Sequence, residues 1–220
     1  MKISLRSASL ALWAGLMLAG TVGAQTAAGR GAPVDLHARL REVETSPKLF
    51  EAAYKVGKNV STFCANCHGE GGNSVKSDIP NLAGQNTQYI IEQVRQFSEG
   101  RRKNEFMEGL IKALNPDEKI GIVVFYSNQD VVHRPATDAA LAAQGKTLYD
   151  RNCFRCHGEQ GRGSDKFARI AGQQAEYLSL SLKRYRSGTG PRVDPLMAAS
   201  TRNLSDNDIR ALVAYVASMK

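Results

Sequence analysis

The stretch that decides the reading is Cys64-Ala65-Asn66-Cys67-His68, which occurs a second time as Cys153-Phe154-Arg155-Cys156-His157. Both follow Cys-x-x-Cys-His, the attachment signal for a c-type haem. Two thiols about one helical turn apart can add across the two vinyl groups of one haem. The adjacent histidine is then delivered to the iron as an axial ligand. A single copy could equally be a zinc or redox Cys-x-x-Cys that happens to precede a histidine. Here the two copies use all four cysteines of the 220-residue chain. The expectation is two covalently bound haem c groups. Cys64, Cys67, Cys153 and Cys156 are the attachment points, and His68 and His157 are the iron ligands.

The start of the chain carries an address. Lys2 and Arg6 precede an apolar run from Ala8 to Ala19, and Val22-Gly23-Ala24 offers the small residues read by a signal peptidase. The reading is a secretory signal peptide over 1–24, cleaved after about Ala24. A membrane anchor fits less well, because a span needs ~20 apolar residues. No later segment is apolar enough to span, so the mature protein is expected to be exported without a transmembrane anchor. Peripheral association with a membrane stays compatible with this. Export into an oxidising compartment would ordinarily suggest disulfides. The histidine after each second cysteine redirects that reading to thioethers, which bacteria form after translocation, so the expected location is the periplasm.

The formal charge of +8 falls to about +6 once Lys2 and Arg6 leave with the signal. Lys and Arg balance Asp and Glu over 25–44 and again over 45–130, while 131–220 carries 14 against 8. A basic second half could steer docking to an acidic partner. A merely solvated surface explains it as well. Nucleic acid is excluded as a partner by the compartment.

The rest of the chain is read as a tandem duplication. Residues 25–45 read as a flexible lead-in, with His37 as an exposed surface residue. Ser46-Pro47 opens a first helix that delivers the chain to Cys64. Ile90, Ile91, Val94 and Phe97 mark one face of a second helix near 87–99, and Asn115-Pro116-Asp117-Glu118 caps a last one. After a linker at 128–137, which holds His133 as a solvated residue, the pattern returns with an offset of 88 to 90 residues. Gly57 recurs as Gly145, Leu82-Ala83-Gly84-Gln85 as Ile170-Ala171-Gly172-Gln173, Tyr89 as Tyr177, Met107 as Met197, and Ile120 and Tyr126 as Ile209 and Tyr215. No strand pattern of useful length occurs. The expected fold is all-α, with one small haem-centred domain over 46–127 and another over 138–220.

Met107 lies 39 residues after His68, and Met197 lies 40 after His157. A thioether is a soft ligand that stabilises reduced iron and raises its potential. The matched positions predict Met107 and Met197 as the ligands opposite the histidines. Pro195 predicts a rigid loop under Met197, whereas Met107 has no nearby proline. Met219, near the terminus, is the other methionine of the second half. Pro80 and Ala168 are placed to offer a carbonyl to each histidine ring. Arg101, Arg102, Lys103, Lys183, Arg184 and Arg186 read as propionate partners or as solvated charge. Gln85, Gln173, Tyr89 and Tyr177 are explained equally by core, cap or haem contacts.

As a set, these features resemble the dihaem cytochrome c4 family over residues 47–219. The set comprises two Cys-x-x-Cys-His-Gly motifs, Ala-Gly-Gln followed by Tyr after each, Gly-Arg-Arg-x-Asn at 100–104, the two methionines and the capped last helices. The resemblance implies two tandem class I cytochrome c domains with His/Met ligation at both irons. It also implies an electron carrier rather than an enzyme, working between redox proteins of the respiratory chain. The implied donor is a quinol-oxidising cytochrome bc complex and the implied acceptor a terminal oxidase. An electron-accepting subunit of a periplasmic dehydrogenase is the alternative, and a dihaem peroxidase is a further one. The resemblance also implies that Gly57 meets Tyr126 and Gly145 meets Tyr215 where the first and last helices cross. Tyr149 adds an aromatic four residues after Gly145. Ser61 stands at the matching place after Gly57, which predicts a looser crossing in the first half.

Overall fold

A computed structural model describes residues 34–220; the signal peptide and residues 25–33 of the lead-in lie outside them. Ten α-helices, and no strand, are present among the described residues. They are α1 (Leu36–Thr45), α2 (Pro47–His68), α3 (Thr87–Ser98), α4 (Glu105–Ala113) and α5 (Pro116–Ser127), then α6 (Ala139–Asn152), α7 (Phe154–His157), α8 (Ala175–Ser187), α9 (Pro195–Thr201) and α10 (Asp206–Ser218). None is long and apolar enough to cross a membrane.

Local signals set the boundaries. The Ser46 side chain accepts from the Leu49 N–H, and Pro47 takes the first helical position of α2. Asn115 with Glu118, and Ser205 with Asp208, form reciprocal capping boxes on α5 and α10. The apolar face read over 87–99 is buried through Ile90, Ile91, Val94 and Phe97.

The lead-in expectation is corrected at its C-terminal end. Residues 36–45 are helical, not flexible. Asp35 caps the backbone N–H groups of His37 and Ala38. Leu40 and Val43 are buried in the first core, with Leu36 packed alongside. His37 is not simply solvated, since its Nδ1 lies 3.2 Å from Gln88 Oε1 on α3. The signal was present in the spacing of Leu36, Leu40 and Val43 at i, i+4 and i+7.

Two hydrophobic clusters follow the repeat. One gathers residues of α1, α3, α4 and α5. The other gathers Tyr149, Ala171, Leu178, Leu204, Ile209, Leu212, Val216 and Met219. In each, the first long helix of the half crosses the last at a glycine. A Cβ on Gly57 would overlap the Gly121 carbonyl and reach 2.8 Å from Phe125 Cβ; one on Gly145 would overlap the Ala211 carbonyl and reach 2.8 Å from Tyr215 Cβ. The aromatic partner of Gly57 is therefore Phe125, not Tyr126. The register of the last helix is 90 residues, not the 89 that pairing Tyr126 with Tyr215 assumed.

That correction resolves the place of Ser61. Tyr126 packs edge-on to Phe125 with centroids 5.2 Å apart, and Tyr149 packs edge-on to Tyr215 at 5.5 Å. Burial, and then the neighbouring Cys64 or Cys153, push both phenols above the ordinary tyrosine range. The two halves thus place one tyrosine beside the first cysteine from opposite helices. In the first half small Ser61 on α2 stands where the second half has Tyr149 on α6, and Tyr126 on α5 stands where it has the smaller Val216 on α10. The crossing in the first half is as close as that in the second, not looser.

The halves differ in one further respect. Cys64 lies seven positions after Gly57, and Cys153 lies eight after Gly145. One extra residue on a continuous helix would rotate the second motif by about 100° around the axis. The chain absorbs this by breaking at Cys153, where φ is −121° and ψ −36°, so α6 and α7 replace the unbroken α2.

Candidate haem sites

Both Cys-x-x-Cys-His motifs end a helix, and the loop after each is tied down in the same way. The Gly72 carbonyl accepts from the N–H groups of Leu82 and Ala83, and the Gly161 carbonyl from those of Ile170 and Ala171. The Gly84 N–H donates to Tyr126 O and the Gly172 N–H to Val216 O. The expected carbonyls are thereby brought to the histidines. His68 Nδ1 is 2.8 Å from Pro80 O, and His157 Nδ1 is 2.9 Å from Ala168 O. A carbonyl can only accept, so Nδ1 carries the proton in each ring and Nε2 keeps its lone pair for a metal.

Both rings are buried. Burial lowers the pKa of each, against the opposing effect of its carbonyl, so both rings are neutral at physiological pH. The surroundings differ. Phe167 stands edge-on to the His157 ring at 6.4 Å. Ile79 occupies the matching position in the first half, and rigid Pro80 stands where the second half has Ala168.

The four cysteines form no disulfide and are half-buried. Burial raises the thiol pKa of Cys64, and that of Cys153 to about 11. The residues fit two haem groups on three grounds. Each site offers an unpaired thiol pair, a neutral buried imidazole with Nε2 available, and a tyrosine beside the first cysteine. The Tyr126 hydroxyl is buried without a hydrogen-bond partner, which is the kind of orphan that a bound group at Cys64 would cover.

The methionines occupy equivalent places. Met107 is the third residue of α4, with its N–H donated to the capping Asn104 side chain at 3.0 Å; Met197 is the third residue of α9, with its N–H donated to Asp194 at 3.0 Å. Pro195 is the first residue of a capped helix rather than part of a loop; α4 begins with Glu105 at the same position. Met219 is a core residue of the second half, with its Sδ against Gly161.

Among the basic residues, Arg101 is held by Glu99 and Glu92, and Arg186 by Asp206 and the Leu204 carbonyl. Arg102 turns inward, stacking on Phe97 at 4.5 Å and donating to Tyr177 OH at 3.2 Å. Arg192, not singled out by the sequence, joins it there. It donates to Tyr89 OH at 2.7 Å and Tyr177 OH at 3.3 Å. Burial acts to raise the Tyr177 pKa, but Arg192 and Arg102 outweigh it and bring the phenol down to about 8. The recurrent tyrosines therefore serve the contact between the halves. Arg192 lies in a stretch without helical periodicity, so no pattern could have found it.

The linker is also seated. The Val131 side chain lies against Gly84 and Gly172, one from each half, and His133 Nδ1 is 3.0 Å from Met219 O. His133 is thus tied to the second half rather than merely solvated.

Residues 142–220 match the model of the cytochrome c family. Cytochrome c4 of Thiocapsa roseopersicina is 32% identical over 166 residues, covering 70% of this chain and 85% of that protein. The chain belongs to the cytochrome c4 family. The thiosulfate dehydrogenase electron acceptor of Thiomonas intermedia is 30% identical, over 82% of this chain and 90% of its own. The crystal structure of reduced recombinant cytochrome c4 from Pseudomonas stutzeri superposes with a TM-score of 0.69 at 30% identity, covering 76% of this chain and 98% of the other. As in the rest of the cytochrome c4 family, the cofactors are two haem c groups, the helical halves are tandem cytochrome c units, and the protein is an electron carrier.

Proposed function

We propose that each half is an electron-transfer centre with a closed iron. Cys64 and Cys67 bind one haem, with His68 and Met107 as its axial ligands; Cys153 and Cys156 bind the other, with His157 and Met197. The observation that carries this reading is the exact recurrence of one constellation: an unpaired cysteine pair, a buried histidine with Nδ1 on a backbone carbonyl, and a methionine at the third position of a capped helix. When bound, haem supplies a one-electron Fe(III)/Fe(II) couple. The chain fixes the imidazole tautomer, supplies soft sulfur ligands and keeps both histidine rings out of water. The first unit runs from Asp35 to Ser127, the linker over 128–137, and the second unit over 138–220.

Closed irons make a carrier rather than a peroxidase-like enzyme. The reduced parent protein is expected to bind no carbon monoxide on mixing. Met107→Ala and Met197→Ala are each expected to bind one equivalent, with the potential of that haem alone lowered. Rapid stoichiometric binding by the parent would overturn the ligand set.

The exported carrier works in the periplasm, between a quinol-oxidising cytochrome bc complex and a terminal oxidase. The excess of basic residues in 131–220 supports docking of an acidic partner on the second half. Reduction by such a partner is expected to slow as ionic strength rises; rates that hold constant count against it. A second reading is favoured by the Thiomonas intermedia relative, named as the electron acceptor of thiosulfate dehydrogenase. In that reading the chain accepts electrons from a dehydrogenase, and a stable stoichiometric partner in a periplasmic pull-down would select it.

A further inference from the structure

The two halves meet through a crossed pair of glutamines. Gln173 Oε1 accepts from the Asn81 N–H at 2.7 Å, and its Nε2 donates to the Asn81 carbonyl at 3.1 Å. Gln85 Oε1 accepts from the Arg169 N–H at 2.7 Å, and its Nε2 donates to the Arg169 carbonyl at 2.8 Å. Asn81 and Arg169 are equivalent residues, as are Gln85 and Gln173, so the arrangement has an approximate two-fold. The neighbouring residues follow the same rule. Gln174 Nε2 donates to the Ser74 carbonyl and to Asn81 Oδ1, while Asn86 Nδ2 donates to the carbonyls of Arg162, Ser164 and Phe167.

The peptide groups involved are those that hold the histidines. The Asn81 N–H and the Pro80 carbonyl belong to one peptide unit, which is planar and rigid. His68 donates to the oxygen end of that unit and Gln173 accepts from its nitrogen end. The Ala168–Arg169 unit stands likewise between His157 and Gln85. A hydrogen bond at the N–H polarises the peptide and makes its carbonyl a stronger acceptor. A stronger acceptor at Nδ1–H makes the imidazole a more basic ligand, and a more basic ligand favours ferric iron. Both glutamines are buried, at 8% and 9% exposure, so water does not stand in for them.

We propose that Gln85 and Gln173 are positioning residues acting across the interface, each tuning the iron-ligating histidine of the opposite half through a single shared peptide unit. The inference rests on His68 and His157 being the iron ligands, as proposed above. Its signature is a crossed effect. Gln173→Leu is expected to raise the potential of the haem on His68 and leave that on His157 in place. Gln85→Leu is expected to do the reverse. Gln173→Glu keeps an acceptor oxygen for the Asn81 N–H and is expected to return the His68 wave to or below its parent value.

The experiment is a redox titration of the holoprotein, with the two waves assigned by Met107→His and Met197→His. It is paired with NMR of the Nδ1–H protons of both ligand histidines, which a merely structural role would not move selectively. In Gln173→Leu the His68 Nδ1–H resonance is expected to shift toward that of a weaker hydrogen bond. Should one leucine variant fail to accumulate with two haems, the other leucine variant and Gln173→Glu carry the same crossed test. Equal shifts of both waves, or a shift confined to the glutamine's own half, would overturn the inference alone. Parent spectra without iron-shifted signals from both histidine rings would overturn the ligand assignment, and the inference with it.

Discussion

Replacing Cys153 and Cys156 by alanine will leave the second half without a cooperative melt, and will cost that half more than the equivalent change at Cys64 and Cys67 costs the first. The reason lies in the cores. Among the described residues, thirteen buried side chains form the first cluster and eight the second. The first half also has α1, whose Leu40 and Val43 are fully or almost fully buried. Units of this size bury limited surface on their own, and haem serves each as an apolar centre. The half with the smaller protein core depends on it more. Loss of the second haem is therefore expected to remove most of the helical signal of α6 to α10. The check is far-UV circular dichroism during heating of the one-haem variant beside the parent. Retention of two native-like cooperative transitions would sink the prediction.

The second large effect concerns the exchanged tyrosines. Tyr126→Val will open a cavity beside Cys64 and destabilise the protein by roughly 3 kcal/mol, as large-to-small changes in packed interiors do. Ser61→Tyr alone will crowd the same place against Tyr126 and cost about 1–3 kcal/mol. The double variant Ser61→Tyr/Tyr126→Val reproduces the arrangement that Tyr149 and Val216 already make in the second half. It is expected to be more stable than Tyr126→Val and to recover at least half of that loss. Urea unfolding of the four proteins, analysed as a double-mutant cycle, measures the coupling. Additive costs would show that the two positions do not share one space.

Much of this is legible in the sequence alone. The cysteine motifs, the offset of 88 to 90 residues and the caps at Ser46, Asn115 and Ser205 are local or periodic features, and the structure keeps them. The carbonyls of Pro80 and Ala168 could be anticipated because the loop from each histidine has nearly the same length in both halves. The helix at 36–45 was missed although its spacing was readable, because Ala and Gly just before it suggested a flexible segment. The pairing of Gly57 with Tyr126 was off by one residue. A shift of one position on a helix looks trivial in sequence, yet turns the side chain to a different face.

By itself, then, the sequence determined the chemistry: two haem attachment sites, two histidines, two matched methionines, and the all-helical repeat that carries them. Each rests on residue type and short-range spacing, which covalent chemistry and helix geometry translate directly. Only the tertiary structure decided how the halves address each other. Gln85 and Gln173 reach residues 84 and 92 positions away, and Arg192 reaches a tyrosine 103 positions away. An amide side chain pairs with any backbone it is brought to, so its partner is set by how the two halves dock and not by any pattern along the chain. The repeated pentapeptide makes two haem sites, and the docking of the halves places the residues of one behind the histidine of the other.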